Sequence, residues 1–156
     1  MHKRIISREH ERSVPDPDWW DVEGLAEVEI TSEDSNHPIE SALLPGRGAG
    51  WRAACPGMQA IRLMFAHPQR LQRIRLSFVE PHIERTQEYV LRWSADGGQS
   101  FQEIVRQQWN FTPNGATSET EDHHINLSEV TTLELTIVPD IGGGNAIASL
   151  AELRIA

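Results

Sequence analysis

The chain has 156 residues, 38% of them hydrophobic, and a formal net charge of −9. This length suits one domain, and the absence of any apolar run near ~18 residues excludes a membrane-spanning helix. The acidic balance argues against a nucleic-acid partner or an anionic membrane surface, since both are bound through Lys and Arg. A lone cysteine, Cys55, excludes an intrachain disulfide.

The first 17 residues are polar and contain Pro15 and Pro17, so we expect an irregular segment. Their basic residues are not followed by the apolar stretch of about 7–15 residues that a secretory signal requires. The sequence therefore predicts no export signal and a cytoplasmic location. Trp19 and Trp20 end this segment, and we expect them to fasten it to the domain rather than to bind a glycan.

From residue 26 onward, apolar residues alternate with polar ones in short segments, which is the period of a half-buried β-strand. Residues 35–50, rich in Pro and Gly, predict a loop, and Asp96-Gly97-Gly98 marks a tight turn. Closely spaced strands of this kind predict an all-β fold, an antiparallel sandwich or barrel, without a long helix. The inward positions are predicted at Ala26, Val28 and Ile30, at Ile61, Leu63 and Phe65, at Ile74, Leu76 and Phe78, at Tyr89, Leu91 and Trp93, at Leu133, Leu135 and Ile137, and at Ala151, Leu153 and Ile155, with a further extended segment over residues 101–109.

The charge is spread unevenly along the chain. Residues 1–46 carry a net charge of −7, residues 47–92 one of +5 and residues 93–156 one of −7. We therefore expect the basic middle strands to lie beside the acidic terminal strands, with pairs such as Arg62 or Arg92 and Glu134 on a solvated sheet face. An arginine-lined anion site is the alternative.

No group of residues has the composition and spacing of an active site. His123 and His124 would point to opposite faces of an extended segment and could not share a metal ion, and Cys55 has no neighbouring base. We therefore predict no enzyme and no catalytic residue. Two further motifs could suggest chemistry, a carboxylate pair and a Gly-rich phosphate loop. We expect the first, Glu121-Asp122, to lie in a solvated polar stretch and the second, Gly142-Gly143-Gly144, to form an inter-strand loop.

Several motifs follow one another in a characteristic order. Residues 35–43 form a Ser-Asn-His-Pro loop after the first strand, Trp51 follows a variable Gly-rich loop, and residues 94–101 form a Ser-x-Asp-Gly-x-x-aromatic hairpin. Strand-like segments at 56–65, 68–78 and 148–155 complete the order. In combination these motifs resemble the discoidin domain, also called the coagulation-factor type C domain, within the galactose-binding-like superfamily.

The resemblance implies an antiparallel β-sandwich of jelly-roll type over residues 25–156, with residues 1–24 as an N-terminal strap or partly ordered tail. It also implies that a ligand is bound by loops at one end of the sandwich. Members of the family bind sugars, lipid headgroups or proteins, so the fold alone does not choose among these.

Many sugar-binding relatives hold a structural calcium between an Asp-Gly loop before the tryptophan and a Glu in the last strand. Glu152 matches the second part, but residues 44–50 carry no carboxylate, and Arg47 would repel the ion. Because calcium takes about 6–8 oxygen ligands, carboxylates included, we predict no cofactor and no metal. Glu152 is a metal ligand only if a structural calcium exists.

Sugar sites of the superfamily combine an aromatic platform with a few polar groups, because a sugar's C–H face stacks on the ring while its hydroxyls need oriented partners. The loops able to supply these groups are residues 36–50, 80–87, 109–115 and 140–145. The candidate ligand-binding residues are Trp109, Phe111, His82, Arg47 and Asn145. Alternatively, Trp109 ends a core strand and Phe111 closes the bottom of the sandwich, and for Trp51 and Trp93 a core position is expected.

Two functions remain open. The first is a non-catalytic carbohydrate-binding module whose ligand lies on loops at one end. The alternative is an intracellular protein-interaction or assembly domain without a sugar ligand, indicated by the missing export signal and the missing Asp-Gly loop. The partner is then a carbohydrate or a protein, and neither nucleic acid nor membrane.

Overall fold

The structure, a computed structural model, describes residues 18–156, so most of the predicted N-terminal strap lies outside the described residues. None of the helices within this part of the chain has the length and hydrophobicity needed to span a bilayer. The elements are a 3-10 turn Val22–Gly24, strand β1 Ala26–Ile30, helix α1 Glu40–Leu43, and strands β2 Trp51–Arg52, β3 Gln59–Val79, β4 Arg85–Ser94, β5 Gln102–Phe111, β6 Ser118–Val138, β7 Ser149–Leu150 and β8 Glu152–Ile155.

Two long strands, β3 and β6, run through both layers of an antiparallel β-sandwich. The first half of β3 pairs with β1 and with the second half of β6, and the sheet continues to β4 and β5. The second half of β3 pairs with β8 and with the first half of β6. Register shifts between Met64 and Arg73 mark the bend of β3, and Glu129, with a φ of 60°, lies at the corresponding bend of β6.

The hydrophobic core lies between these layers. Phe78 of β3 and Tyr89 of β4, which are not neighbours in the sheet, stack with ring centroids 5.3 Å apart. Ile74 and Leu76 are fully buried beside them, and each large apolar side chain removed from water stabilises the fold by about 1.5–3 kcal/mol. The predicted inward residues of β3 therefore form the centre of the core. Trp51 is also buried, as expected, and Trp93 packs against the core with partial exposure.

The hairpin between β4 and β5 is built by one serine and one aspartate. Ser94 Oγ accepts from the Gly98 amide at 2.9 Å and donates to Asp96 Oδ1 at 2.6 Å, while the Ser100 amide donates to the same Asp96 oxygen at 2.9 Å. Gly97 and Gly98 have φ values of 74° and 91°, which glycine adopts without steric cost. The Ser-x-Asp-Gly motif therefore fixes this turn through side-chain hydrogen bonds.

Phe101, at the end of this hairpin, covers a row of charges on the first layer. Glu134 accepts from Arg62 Nε at 2.7 Å and from Arg92 Nε at 2.8 Å, and both guanidinium groups lie within 5.6 Å of the Phe101 ring centroid. The predicted pairing of basic middle strands with acidic terminal strands is confirmed here. The expected solvated position of Glu134 is wrong, because the flanking arginines and Phe101 leave it only 1% exposed.

The strands occur where the alternation predicts them, but three segments differ from expectation. The predicted strands around residues 61–65 and 74–78 are one bent strand, β3. Helix α1 interrupts the loop expected over residues 35–50. The polar segment around Glu121-Asp122, expected to be solvated, belongs to the first half of β6, where polar side chains occupy the alternate inward positions.

Candidate functional site

Four loops meet at one end of the sandwich, which we call the loop end: residues 36–50, 80–84, 112–117 and 139–148. The Glu80 amide donates to the Thr117 carbonyl at 2.7 Å, and the Ile141 amide donates to the Thr86 carbonyl at 2.9 Å. A cleft of about 160 Å³ between the first loop and the end of β3 includes His37, Ala49 and Val79 in its lining. The loops that the sequence nominated are therefore close to one another in space.

Arg85, at the start of β4, connects two of these loops and the end of β5. Its side chain is 0% exposed, its Nε donates to Glu80 Oε1 at 2.9 Å, and its Nη1 donates to the Pro139 carbonyl at 2.7 Å. Its guanidinium lies 4.8 Å from the ring centroid of Phe111. Burial opposes ionisation of Glu80, but the hydrogen bond and charge of Arg85 keep the pKa of this carboxyl below its usual value, so Glu80 is ionised at neutral pH.

The five candidate ligand residues fall into different environments. Phe111 is fully buried under Arg85, so its assignment as a ligand-contacting platform is wrong, because the ring already packs against the core and a guanidinium. His82 and Asn145 are exposed on two of the loops. Arg47 is exposed too, but it lines a different cleft of about 410 Å³ together with Trp19 and Trp20.

Trp109 is the candidate that lies beside buried polar groups without hydrogen-bond partners. It is half-buried on β5, opposite Gln87 of β4 in the register. Its indole Nε1 is shielded from solvent and has no hydrogen-bond partner, and the same is true of Nε2 of the fully buried Gln87. Buried polar groups nearly always have a hydrogen-bond partner. These two adjacent donors have none in the part of the chain that the structure describes, so they could donate hydrogen bonds to a ligand.

These residues belong to a larger group, which sequence reasoning missed and which we call the inner polar cluster. Inward side chains of β6 lie across the sandwich from β4: the Tyr89 hydroxyl is 2.8 Å from His123 Nε2, and the Glu119 carboxylate faces that of Glu121. Glu119 is 3% exposed, and among residues 18–156 its carboxylate oxygens have no hydrogen-bond partner other than the Glu121 carboxyl when a proton is shared between the two groups. The inner polar cluster consists of Gln87, Tyr89, Trp109, Glu119, Glu121 and His123.

The environment of this cluster changes how its members ionise. Burial, followed by a hydrogen bond to Glu121 that only the protonated carboxyl can donate and by the charge of Glu121, raises the pKa of Glu119 to about 7. Burial, reinforced by the Glu121 and Glu119 charges, raises the pKa of Tyr89. Burial lowers the pKa of His123, although Glu121 and Asp122 oppose this shift. At neutral pH the cluster therefore presents a neutral histidine and a neutral phenol beside Glu119, whose carboxyl is partly protonated.

The expected opposition of two adjacent histidines is confirmed, since His123 points inward and His124 is exposed on the other face of β6. The expectation that Glu121 and Asp122 both lie in solvent is wrong. Glu121 lies in the inner polar cluster, and Asp122 pairs with Arg73 on the outer face. The sequence does contain a signal for this strand. Glu119, Glu121 and His123 lie at every second position and are followed at the same spacing by the apolar residues Ile125 and Leu127.

The residues present do not fit the calcium that the resemblance implies. Glu152, the conditional ligand, is engaged by Arg75 at 2.7 Å, and residues 44–50 contribute no carboxylate. Over residues 18–156, no three His, Cys, Asp or Glu side chains are grouped in a way that could hold a metal ion.

No protein-family model and no curated protein matches the chain, whereas several solved structures do. The CBM32 module of AlyQ, solved in complex with 4,5-unsaturated mannuronic acid, matches with a TM-score of 0.64 and 16% identity, over 88% of this chain and 97% of that one. The family 32 module of Clostridium perfringens NanJ, solved in complex with galactose, matches with a TM-score of 0.60 and 16% identity, over 83% and 92% of the two chains.

A pectin-binding carbohydrate-binding module matches with a TM-score of 0.60 and 15% identity, over 84% of this chain and 89% of that one. Some matching chains also carry an enzyme domain, as in truncated AlyQ with its alginate lyase domain, of which the match covers 32%. At these identities the similarity shows the fold alone: this chain has an antiparallel β-sandwich like that of the solved family 32 modules.

Proposed function

We propose that this chain is a non-catalytic carbohydrate-binding module of the discoidin type. The shared sandwich and the order of the sequence motifs support the assignment to this group. The observation that carries the proposal is Trp109, a half-buried indole whose Nε1 has no partner and which lies beside the equally unfilled Nε2 of Gln87.

The physical reason is the complementarity of this arrangement to a sugar. A pyranose presents an apolar C–H face, which stacks on an aromatic ring, and hydroxyl oxygens, which accept hydrogen bonds from oriented donors. Trp109 supplies ring and donor at one position, and Gln87 supplies a second donor. A ligand hydroxyl that accepts from these groups makes hydrogen bonds that the folded chain leaves unmade.

The test is calorimetric titration of the chain with a panel of neutral, acidic and amino oligosaccharides. We expect saturable binding of at least one class, loss of binding in Trp109→Ala, and a roughly 2–10-fold weaker affinity in Trp109→Phe, which keeps a ring but removes one neutral hydrogen bond.

Glu27→Ala is the matched control, because Glu27 is exposed on β1 and we expect it to bind like the unaltered chain. Absence of binding to the whole panel at millimolar concentration would overturn the proposed function. Undiminished binding by Trp109→Ala would instead overturn the assignment of the site.

A protein-interaction domain is the second candidate function. It is favoured by three large aliphatic side chains that are about half exposed, one at the end of β3 and two on the loop end: Val79 at 50%, Ile83 at 49% and Ile141 at 49%. Apolar side chains exposed together mark surfaces that bind proteins. The cytoplasmic location belongs to this candidate and stays a prediction.

A pull-down with the unaltered chain and with the double variant Ile83→Ser/Ile141→Ser tests this second candidate. We expect a specific partner to be captured by the first and lost by the second, with circular dichroism verifying that the variant is folded. Capture of the same partner by both chains, or of none above background, would count against it.

A further inference from the structure

We propose that the open edge of β1, the side of this strand that faces away from β3, binds an extended peptide segment of another protein in which apolar side chains alternate with basic ones. The peptide joins the first layer as an additional strand. This edge lies at the opposite end of the layer from β5, which carries Trp109. The inference therefore goes beyond the proposed function and does not depend on a bound sugar.

The first observation is the direction of the backbone groups of β1. Just before the strand, the Leu25 carbonyl accepts from the Ala66 amide at 3.3 Å. Just after it, the Thr31 amide donates to the Ala60 carbonyl at 3.1 Å. Along an antiparallel strand these groups point alternately toward and away from the neighbouring strand. The residues whose N–H and C=O groups point away from β3 are therefore Ala26, Val28 and Ile30.

These backbone groups form a ladder that is ready to pair with another strand. Among residues 18–156, β1 pairs only with β3. No hydrogen bond in this part of the chain joins the outward backbone groups of β1 to a loop. An unpaired edge of this kind is a template for an added strand, and an extended peptide supplies donors and acceptors at the matching spacing.

The second observation is an apolar groove of about 210 Å³ beside this edge. Its lining includes Ala26 and Val28 of β1 and, on the other side, Ile39, Leu43 and Leu44 around helix α1. Side chains of a strand alternate between the two faces of its sheet, so every second side chain of an added strand enters this groove. Because the walls are apolar, we expect those side chains to be apolar too.

The third observation is the charge around the groove. Glu27 and Glu29 are exposed on the outer face of β1, and Glu23 and Glu40 are exposed at the rim of the groove. Within residues 18–156 none of these four carboxylates forms an ion pair, and Arg62, opposite Glu29 in the register, already pairs with a carboxylate of β6. The remaining side chains of the peptide, which lie beside these charges, are therefore basic.

The same charges disfavour a second copy of this chain as the occupant. If two β1 strands paired in antiparallel fashion about Val28, Glu27 of one copy would lie opposite Glu29 of the other on the same face. Like charges placed directly opposite each other destabilise a strand pair. The edge is therefore suited to a basic partner rather than to itself.

The experiment compares two synthetic octapeptides, one of alternating valine and lysine and one of alternating valine and glutamate. Fluorescence anisotropy measures their binding to the full chain. We expect saturable binding of the lysine peptide, weakened by added salt, and no saturable binding of the glutamate peptide. Amide hydrogen exchange followed by NMR tests the position: exchange at Ala26, Val28 and Ile30 should slow by about tenfold when the free peptide is at about ten times its dissociation constant.

Two substitutions separate the backbone from the charge. Val28→Pro removes one amide from the open edge but no hydrogen bond to β3, and it should weaken binding by at least about tenfold relative to Val28→Ala, which shortens the same side chain and keeps the amide. The double variant Glu27→Gln/Glu29→Gln should weaken binding by roughly 2–30-fold, as expected for two lost cross-strand charge pairs. The matched control Glu84→Gln/Glu129→Gln loses the same charge at exposed positions outside β1 and should bind like the unaltered chain.

Several outcomes would overturn this inference. They include unchanged amide exchange on β1 at saturating lysine peptide, equal binding of the two peptides, absence of binding at millimolar concentration, and equal binding by Val28→Pro and Val28→Ala. Binding that is seen only after residues 1–17 are removed would overturn it in favour of the chain's own N-terminal segment as the occupant. Protection of the same amides by dimerisation without peptide would overturn it in favour of a second copy.

Discussion

At the scale of single residues, the carboxyl group of Glu119 lies in an environment that disfavours its ionised form. Its pKa of about 7 lies above the value of 4.5 that the group has when free of its neighbours. A folded-state pKa that is raised in this way stabilises the fold fully below the unfolded value, and that contribution is lost as the pH rises through the folded value. Glu119 therefore makes the domain less stable in mildly alkaline than in mildly acidic solution.

Replacing Glu119 with Gln removes this pH dependence. We expect urea denaturation to show the Glu119→Gln variant more stable than the unaltered chain at about pH 8 and nearly equal to it at about pH 4.5. The difference should open between these values, since only the unaltered chain must ionise a buried group there. Glu27→Gln serves as the control, and parallel stability profiles of the Glu119→Gln variant and the unaltered chain would contradict this account.

At the scale of elements, the hairpin between β4 and β5 depends on one ionised side chain. Hydrogen bonds from Ser100 and Ser94 keep the pKa of Asp96 well below its usual value. A depressed folded-state pKa stabilises the fold above the unfolded value of 3.8, and this contribution is lost as the pH falls toward the folded value. The turn therefore holds the Phe101 cover over Glu134 most firmly when Asp96 is charged.

The corresponding prediction concerns Asp96→Asn. We expect a lower midpoint of thermal unfolding at pH 7, because the amide accepts these hydrogen bonds more weakly than the carboxylate. The difference from the unaltered chain should shrink as the pH is lowered below about 3. Asp18→Asn, at an exposed position, should unfold like the unaltered chain, and a constant difference at all pH values would show that Asp96 does not act through its charge.

At the scale of the whole molecule, the loop end is organised by one buried cation. Arg85 reaches Glu80, Pro139 and Phe111, which belong to three different connections of the sandwich. Because this one buried side chain contacts all three, we expect Arg85→Met to destabilise the domain by about 3–5 kcal/mol, the cost of leaving one member of a buried ion pair behind.

The double variant Arg85→Met/Glu80→Gln separates charge from packing. We expect it to recover part of the lost free energy of unfolding in urea, since the stranded carboxylate is then neutral. If the double variant is as unstable as Arg85→Met alone, the contribution of Arg85 is packing and hydrogen bonding rather than its pairing with Glu80.

The strands of this molecule could be predicted from the sequence, and its polar interior could not. Ile61, Leu63, Ile74 and Leu76 reveal their positions because an apolar side chain at every second residue has one structural explanation. Glu119 obeys the same period with a carboxylate, which composition assigns to solvent. The bend that joins two predicted strands into β3 is likewise invisible, because it depends on pairing with β6 far along the chain.

The candidate site divides in the same way. Trp109 and the four loops could be nominated from residue types that suit sugars. The sequence left Phe111 open between a ligand platform and a buried residue at the bottom of the sandwich, because an aromatic residue in a Pro/Gly-rich segment looks the same whether it faces solvent or lies beneath Arg85. Arg85 itself carries no local signal, since its role depends on loops that meet only in the folded chain.

The long ribbon of β3 and β6 also determines the order in which the chain can fold during synthesis. Among residues 18–156, the strand partners of the second half of β3, with Ile74, Leu76 and Phe78, are the first half of β6 and β8. Val79 pairs with Ser118, so at translation rates of about 5–20 residues per second this apolar strand waits several seconds for its neighbour. Pairings this distant along the chain also close slowly. A nascent chain of this sandwich therefore exposes an unpaired, aggregation-prone strand edge until β6 has left the ribosome. We expect chaperone binding to protect the chain most during that interval.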